Sequence, residues 1–310
     1  MTKNYLTILF FLCLAQGQPL LAQEIKTFTL HDFDLRGKVK TCTVITDYGK
    51  EEFFFNEEGL LTKLITRYSG NDYSITAYHY QDGELTEKRL ESYRDGAFDE
   101  QTSIANIYTV DTAEQKKITE KIISYSKEFL EQNEYQYNQE GLLTGIKRTT
   151  NDGMDDIKLD YTTYKTEETV TTTVNDIIVK TVRTSLKDKS NGDTTKTVLT
   201  KEFVDGEPIN ALEQVYNTKG RLVSEVIFIL KEDGSGFKPQ QTTTYKYGAN
   251  GVLESTTTKT DTQVAIKNFI YQYDGESGGN WIKKIITPQN TYTTRKITYY
   301  PVEETPILKD

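Results

Sequence analysis

Histidine, cysteine, tryptophan and proline are scarce in this chain: two, two, one and six in 310 residues. Two histidines, His31 and His79, cannot supply both a catalytic triad and a metal ligand set. There is no His-Glu-x-x-His, no Gly-x-Ser-x-Gly, no P-loop and no dinucleotide glycine fingerprint. Cys13 lies in the N-terminal apolar run, which leaves Cys42 as the one thiol of the mature chain. A single thiol closes no intramolecular disulfide, and a buried strand position is expected for it in Val39-Lys40-Thr41-Cys42-Thr43-Val44. No basic cluster is present, so nucleic acid is not an expected partner. No catalytic residue, cofactor or metal is expected.

No apolar stretch approaches the roughly 20 residues of a spanning helix. The longest, Leu6 to Ala15, follows the positive Lys3 and precedes Leu20-Leu21-Ala22. That order reads as a secretory signal peptide over residues 1–22. Export to the periplasm, the cell surface or the medium is therefore expected, with no transmembrane span after cleavage. Removing Lys3 leaves 36 basic against 46 acidic residues, a net charge of −10, which favours solubility and opposes binding to anionic surfaces.

What the chain does have is tyrosine, 21 residues of it, and glycine in recurring places. Tyr245-Lys246-Tyr247-Gly248-Ala249-Asn250-Gly251-Val252-Leu253 sets two aromatics on one strand face, then a turn ending in glycine, then an aliphatic return. Tyr135-Gln136-Tyr137-Asn138-Gln139-Glu140-Gly141-Leu142-Leu143 repeats the order, and shorter copies sit at 53–62, 78–86, 215–224 and 271–282. Asn-Gly between alternating apolar residues is a strong hairpin signal. The expected fold is all-β, a single domain of antiparallel hairpins over residues 23–302, as an extended twisted sheet or a half-closed barrel, with a loose tail at 303–310. Tyr135, Tyr137, Gly141, Gly220, Tyr245, Tyr247, Gly251, Tyr271 and Tyr273 define the repeat.

These units resemble the YD repeat of the Rhs family, in which a tyrosine pair precedes a turn and a glycine-aliphatic return. The likeness is sharpest at Tyr135–Thr144, Tyr216–Ser224, Tyr245–Ser255 and Tyr271–Asp274. Tyr271-Gln272-Tyr273-Asp274, Gly279-Asn280-Trp281 and Thr294–Tyr300 resemble the C-terminal end of small secreted YD-repeat-like proteins of the Bacteroidetes type. The resemblance implies a β-repeat array, without the self-cleaving segment or toxin of the large Rhs proteins.

Two stretches depart from the repeat. Residues 111–130 fit period two through Ile123, Tyr125 and Phe129, which predicts strand; an N-cap at Asp111 with Ile118, Ile122 and Phe129 along one side would allow a helix. Residues 149–200 hold 15 threonines and no proline, which predicts strands with exposed threonine ladders and not a glycosylated stalk. The paired tyrosines are expected to form the core ladder. Trp281 suits either stacking on a sugar or peptide, or capping of the last hairpin. The expected role is a non-enzymatic binding or scaffold protein of the cell envelope, its ligand a protein or glycan. The alternatives are a carrier of lipid or hydrophobic peptide and, more distantly, an acid-pair glycan hydrolase.

Overall fold

A computed structural model describes residues 25–188, 194–275 and 279–301. The signal peptide and the tail at 303–310 lie outside the described residues. Twenty strands follow a short 3-10 turn at Leu30–Phe33: β1 (Val39–Thr46), β2 (Gly49–Phe55), β3 (Leu61–Arg67), β4 (Tyr73–Gln81), β5 (Glu84–Arg94), β6 (Ala97–Asp111) and β7 (Lys117–Ser124). Then come β8 (Phe129–Tyr137), β9 (Leu143–Thr150), β10 (Met154–Tyr164), β11 (Glu167–Val174), β12 (Ile177–Asp188), β13 (Thr194–Val204) and β14 (Glu207–Tyr216). The chain ends through β15 (Leu222–Leu230), β16 (Phe237–Tyr247), β17 (Leu253–Thr260), β18 (Val264–Tyr273), β19 (Trp281–Thr287) and β20 (Thr291–Tyr299). Each strand pairs antiparallel with the next. The ambiguous stretch 111–130 is strand, as β7, a turn and β8, and not helix.

The sheet closes on itself. β1 pairs with β20 in the register Thr41↔Thr298, Cys42↔Ile297, Val44↔Arg295. The expected extended sheet or half-closed barrel is thereby corrected to a closed 20-stranded antiparallel barrel. The physical reason is that both terminal strands carry a full row of free N–H and C=O groups, and pairing them removes both edges.

The hairpins share one construction. In the loops Asn56–Leu60, Asn138–Leu142, Asn217–Arg221 and Gly248–Val252, the amide of the loop's glycine donates to the carbonyl of its first residue at 2.9–3.0 Å. In the first three loops the side chain of the leading asparagine accepts the amide of the last loop residue, at 2.8–3.0 Å. The glycines sit at φ of 71–84°, where a Cβ is disfavoured. Asn250-Gly251 is thus part of a five-residue loop, not a two-residue turn. A Cβ at Gly251 would also overlap the Arg221 guanidinium of the preceding repeat.

A bulge precedes each of these loops, at Phe54/Phe55, Gln136/Tyr137, Val215/Tyr216 and Lys246/Tyr247. The ladder to the following strand starts two residues late, at Lys63↔Ala77, Gly145↔Lys158 and Ser224↔Thr244. The carbonyls of Leu61, Leu143 and Leu222 therefore lie outside that ladder. The next hairpin supplies a donor to each: Tyr80, Tyr161 and Tyr247 hydroxyls donate to them, all at 2.8 Å. Tyrosine, and not phenylalanine, is needed because a carbonyl at a half-buried site must find a donor.

Twenty strands make a ring too wide for its own side chains to fill, since about eight strands suffice for that. Residues 25–36 occupy part of the space. Phe28, Leu30 and Phe33 pack on Val39, Cys42, Phe53, Phe55, Leu61 and Tyr78, while Ile25 also reaches Ile146 and Ile157. At the other end Asp34 meets Trp281 and Arg295. One short segment can touch β19, β20 and β1 through β10 together only from inside the ring, so these side chains mark the inner face.

The outer face of the same strands is charged. Arg67 pairs with Glu52, Arg89 with Glu87, Lys117 with Glu134, and Lys158 with Asp176. A lipid-spanning barrel turns an apolar band outward, and a Lys or Arg at the bilayer midplane costs about 2–4 kcal/mol. These charged pairs on the outer face of β2–β11 suit water.

Replacing Tyr80 by Phe keeps the ring and strands the Leu61 carbonyl, so a loss of about 1 kcal/mol is expected in denaturant unfolding. Burial pushes the Tyr80 phenol up to about 12. The folded state therefore favours the neutral phenol. Its stabilisation is complete below pH 10 and is lost as pH rises toward 12. Y80F should have a shallower fall in melting temperature across that window; an identical fall in both proteins would refute the assignment.

Candidate functional site

Strand alternation places Ile118, Glu120 and Ile122 on the inner face of β7, so a carboxylate stands in an apolar row. Glu120 is only 7% exposed. Its neighbours on β6 and β8 are polar at the same height. Asn106 Nδ2 and Tyr108 OH donate to Oε1, each at 2.8 Å. Asn133 Nδ2 and Tyr135 OH donate to Oε2, at 3.2 and 2.7 Å. Four neutral donors meet two oxygens, which compensates for the lost hydration of a buried carboxylate. Burial, then the charge of Glu120, pushes the phenols of Tyr108 and Tyr135 far above the ordinary tyrosine range.

This cluster forms the floor of a cavity of about 270 Å³ between residues 25–28 and the inner wall of β4–β10. Apolar side chains, among them Phe28, Tyr78, Leu85, Ile122 and Ile146, form part of the lining. Glu131, Arg148, Lys26 and Lys88 complete its polar part. Arg148 bonds Glu131 through Nε at 3.1 Å and Nη2 at 3.0 Å, and Asn133 also donates to Glu131. Both carboxylates in the cavity are thus tied to fixed donors.

A second inner cluster surrounds Trp281, which is 7% exposed. Its indole Nε1 donates to Asp34 at 3.0 Å. The Arg295 guanidinium lies 3.5 Å from the ring centroid and donates to the carbonyls of Phe33 and Asp34. Lys284 lies 5.1 Å from the ring, and Tyr271 meets the ring edge-on at 6.1 Å. Burial and the nearby Arg295 charge lower the Lys284 pKa. Cys42, on the adjacent strand, is buried, and that burial raises its thiol pKa to about 11.

Of the repeat residues, only Tyr135 lines the cavity. Tyr137 packs beside it in the same core cluster. Gly141, Gly220 and Gly251 sit in the hairpin loops, and Tyr247 clips β16 to Leu222. Tyr245 is half-buried on the same strand face. Tyr271 and Tyr273 lie 6.2 Å apart in the Trp281 cluster, away from the cavity. Sequence reasoning passed over Glu120, Asn106, Asn133 and Lys88. The available signal was Glu120 between Ile118 and Ile122 at period two, an acidic residue on an apolar face.

No family model and no curated protein matches the chain. Among solved structures it is similar to a porin-like protein from Bacteroides uniformis ATCC 8492, at 10% identity over 85% of this chain and 99% of that one, TM-score 0.31. A porin-like protein from Bacteroides vulgatus ATCC 8482 gives 9% identity over 85% and 99%, TM-score 0.22. The TcdB2-TccC3-TEV structure gives 13% over 77% of this chain and 15% of that one, TM-score 0.18. Superpositions at these scores establish no common fold, so the functional reading rests on the chain's own residues.

Glu120→Gln would set an amide donor among four existing donors. A loss of at least about 2 kcal/mol in unfolding free energy is expected; a neutral change would mean that the donors do not depend on the carboxylate. Trp281 is the chain's single tryptophan, so its emission reports the position of the inner segment. Asp34→Ala should shift that emission to the red without abolishing the cooperative melt, and an unchanged spectrum would refute anchoring through Asp34.

Proposed function

We propose that this protein is a non-enzymatic binding protein of the cell envelope, built from YD-repeat-like hairpins, and that it takes a glycan segment in the cavity above Glu120. Export is read from the signal-like residues 1–22. The observation that carries the reading is the hydrogen-bond polarity of the cavity wall. Asn133 spends both amide N–H groups on Glu120 and Glu131 and so offers its carbonyl oxygen elsewhere, while Asn106 spends one on Glu120 and keeps its carbonyl oxygen and the second N–H. Tyr108 and Tyr135 likewise spend their hydroxyl protons on Glu120 and retain oxygen lone pairs. A wall rich in acceptors, beside aromatic faces, suits a ligand that presents many hydroxyl donors. Small-molecule sites combine a largely apolar lining with a few placed polar groups in this way.

A lipid carrier is supported less well. Its apolar face would have to stay open, and on β1–β5 that face is covered by Phe28, Leu30 and Phe33.

Calorimetric titration with a panel of soluble oligosaccharides tests the reading. Saturable binding at one site per chain is expected, and Ile122→Trp, which fills the cavity, should weaken it by about tenfold or more, roughly 1.4 kcal/mol. A normal thermal melt of I122W would show that the barrel persists. Binding unaffected by I122W, or no saccharide binding at all, would overturn the proposal.

A further inference from the structure

Two charges of the cavity lining have no partner of opposite sign within ion-pairing distance among the described residues, Glu120 and Lys88. Glu120 is satisfied by four neutral donors. Glu131 is held by Arg148. Lys26 pairs with Asp32 at 2.7 Å. Lys88 is the remaining charged group of the lining, and no carboxylate lies within ion-pairing distance of it among the described residues. It is half-buried on the inner face of β5, between Tyr78 on β4 and Asn106 on β6, its cross-strand partners. Its chain neighbours Glu87 and Arg89 point outward and pair with each other at 2.5 Å, so neither reaches the cavity.

Resting on the glycan reading above, we infer that the ligand is an acidic one: a sugar bearing a carboxylate, of the uronic acid class, with the carboxylate on the Lys88 ammonium and the hydroxyls on the acceptor wall. An ammonium on the rim of a half-buried, acceptor-lined cavity gains most from a ligand anion, because such charge-assisted bonds are about twice as strong as neutral ones. A neutral sugar would leave Lys88 facing the ligand with less to bind. A fatty acid could meet Lys88, but its chain would lie against the oxygens of Asn106, Asn133 and Glu131 without donating to them, at a desolvation cost to each.

The test compares glucuronic and galacturonic acid oligosaccharides with their neutral glucose and galactose counterparts, and with decanoate, by calorimetry on the whole protein. The acidic saccharides should bind about tenfold or more tightly than the neutral ones, with that margin shrinking as salt is added. Lys88→Met should erase the margin between acidic and neutral saccharides measured on that variant, and Lys88→Arg should keep part of it. Lys88→Gln makes the same test should the methionine variant melt early. Equal binding of neutral and acidic saccharides overturns this inference and leaves the glycan reading standing. Binding of decanoate in preference to every saccharide overturns both, and so does the absence of binding by any of the three ligand types.

Discussion

A ring of 20 antiparallel strands has no edges, but it has an interior that its own side chains cannot span. Residues 25–36 resolve part of that conflict by running inside the ring. They give Phe53, Phe55, Leu61 and Tyr78 something to pack against, and they bring Asp34 to Trp281 and Arg295. Much else in the protein depends on that placement. The core clusters lie along β1–β10, where the segment passes, while in β12–β18 most inner-face side chains are only half-buried. The cavity is the gap left between the start of the segment and the wall it leans on.

The hairpin loops solve a separate problem. A bulge before each five-residue loop delays the next ladder by two residues and exposes a leucine carbonyl. After three of these loops the following hairpin's tyrosine answers with its hydroxyl, so those repeats are finished by their neighbours. At Tyr80, Tyr161 and Tyr247 one residue thus supplies both a ring and the hydroxyl that completes the backbone. Near Glu120 the same residue type does a third job, with Tyr108 and Tyr135 turning their protons to a buried carboxylate.

The two faces of the sheet divide the labour. Outward positions of β2–β11 include charged pairs such as Arg67–Glu52 and Lys117–Glu134, which suit water. Inward positions carry aromatics, aliphatics and the Glu120 network. That arrangement is opposite to a barrel with lipid outside and a polar lumen.

Local pattern determined a great deal here. Tyr135-Gln136-Tyr137 and Tyr245-Lys246-Tyr247 show strand and face directly, because side chains alternate with period two. Gly59, Gly141 and Gly220 mark loops because only glycine adopts their backbone angles cheaply. The all-β antiparallel hairpin array was legible from such short windows, and so was strand over 111–130. Closure was not, because β1 and β20 are some 250 residues apart and nothing in either strand names its partner; only the completed curvature of the sheet brings them together. The cavity was hidden for the same reason. Glu120 lies between isoleucines at period two, but Asn106, Tyr108, Asn133 and Tyr135 become its partners only through cross-strand register. Lys88 comes to line a cavity only because residues 25–28 fold back over the wall, and that is a decision of tertiary packing.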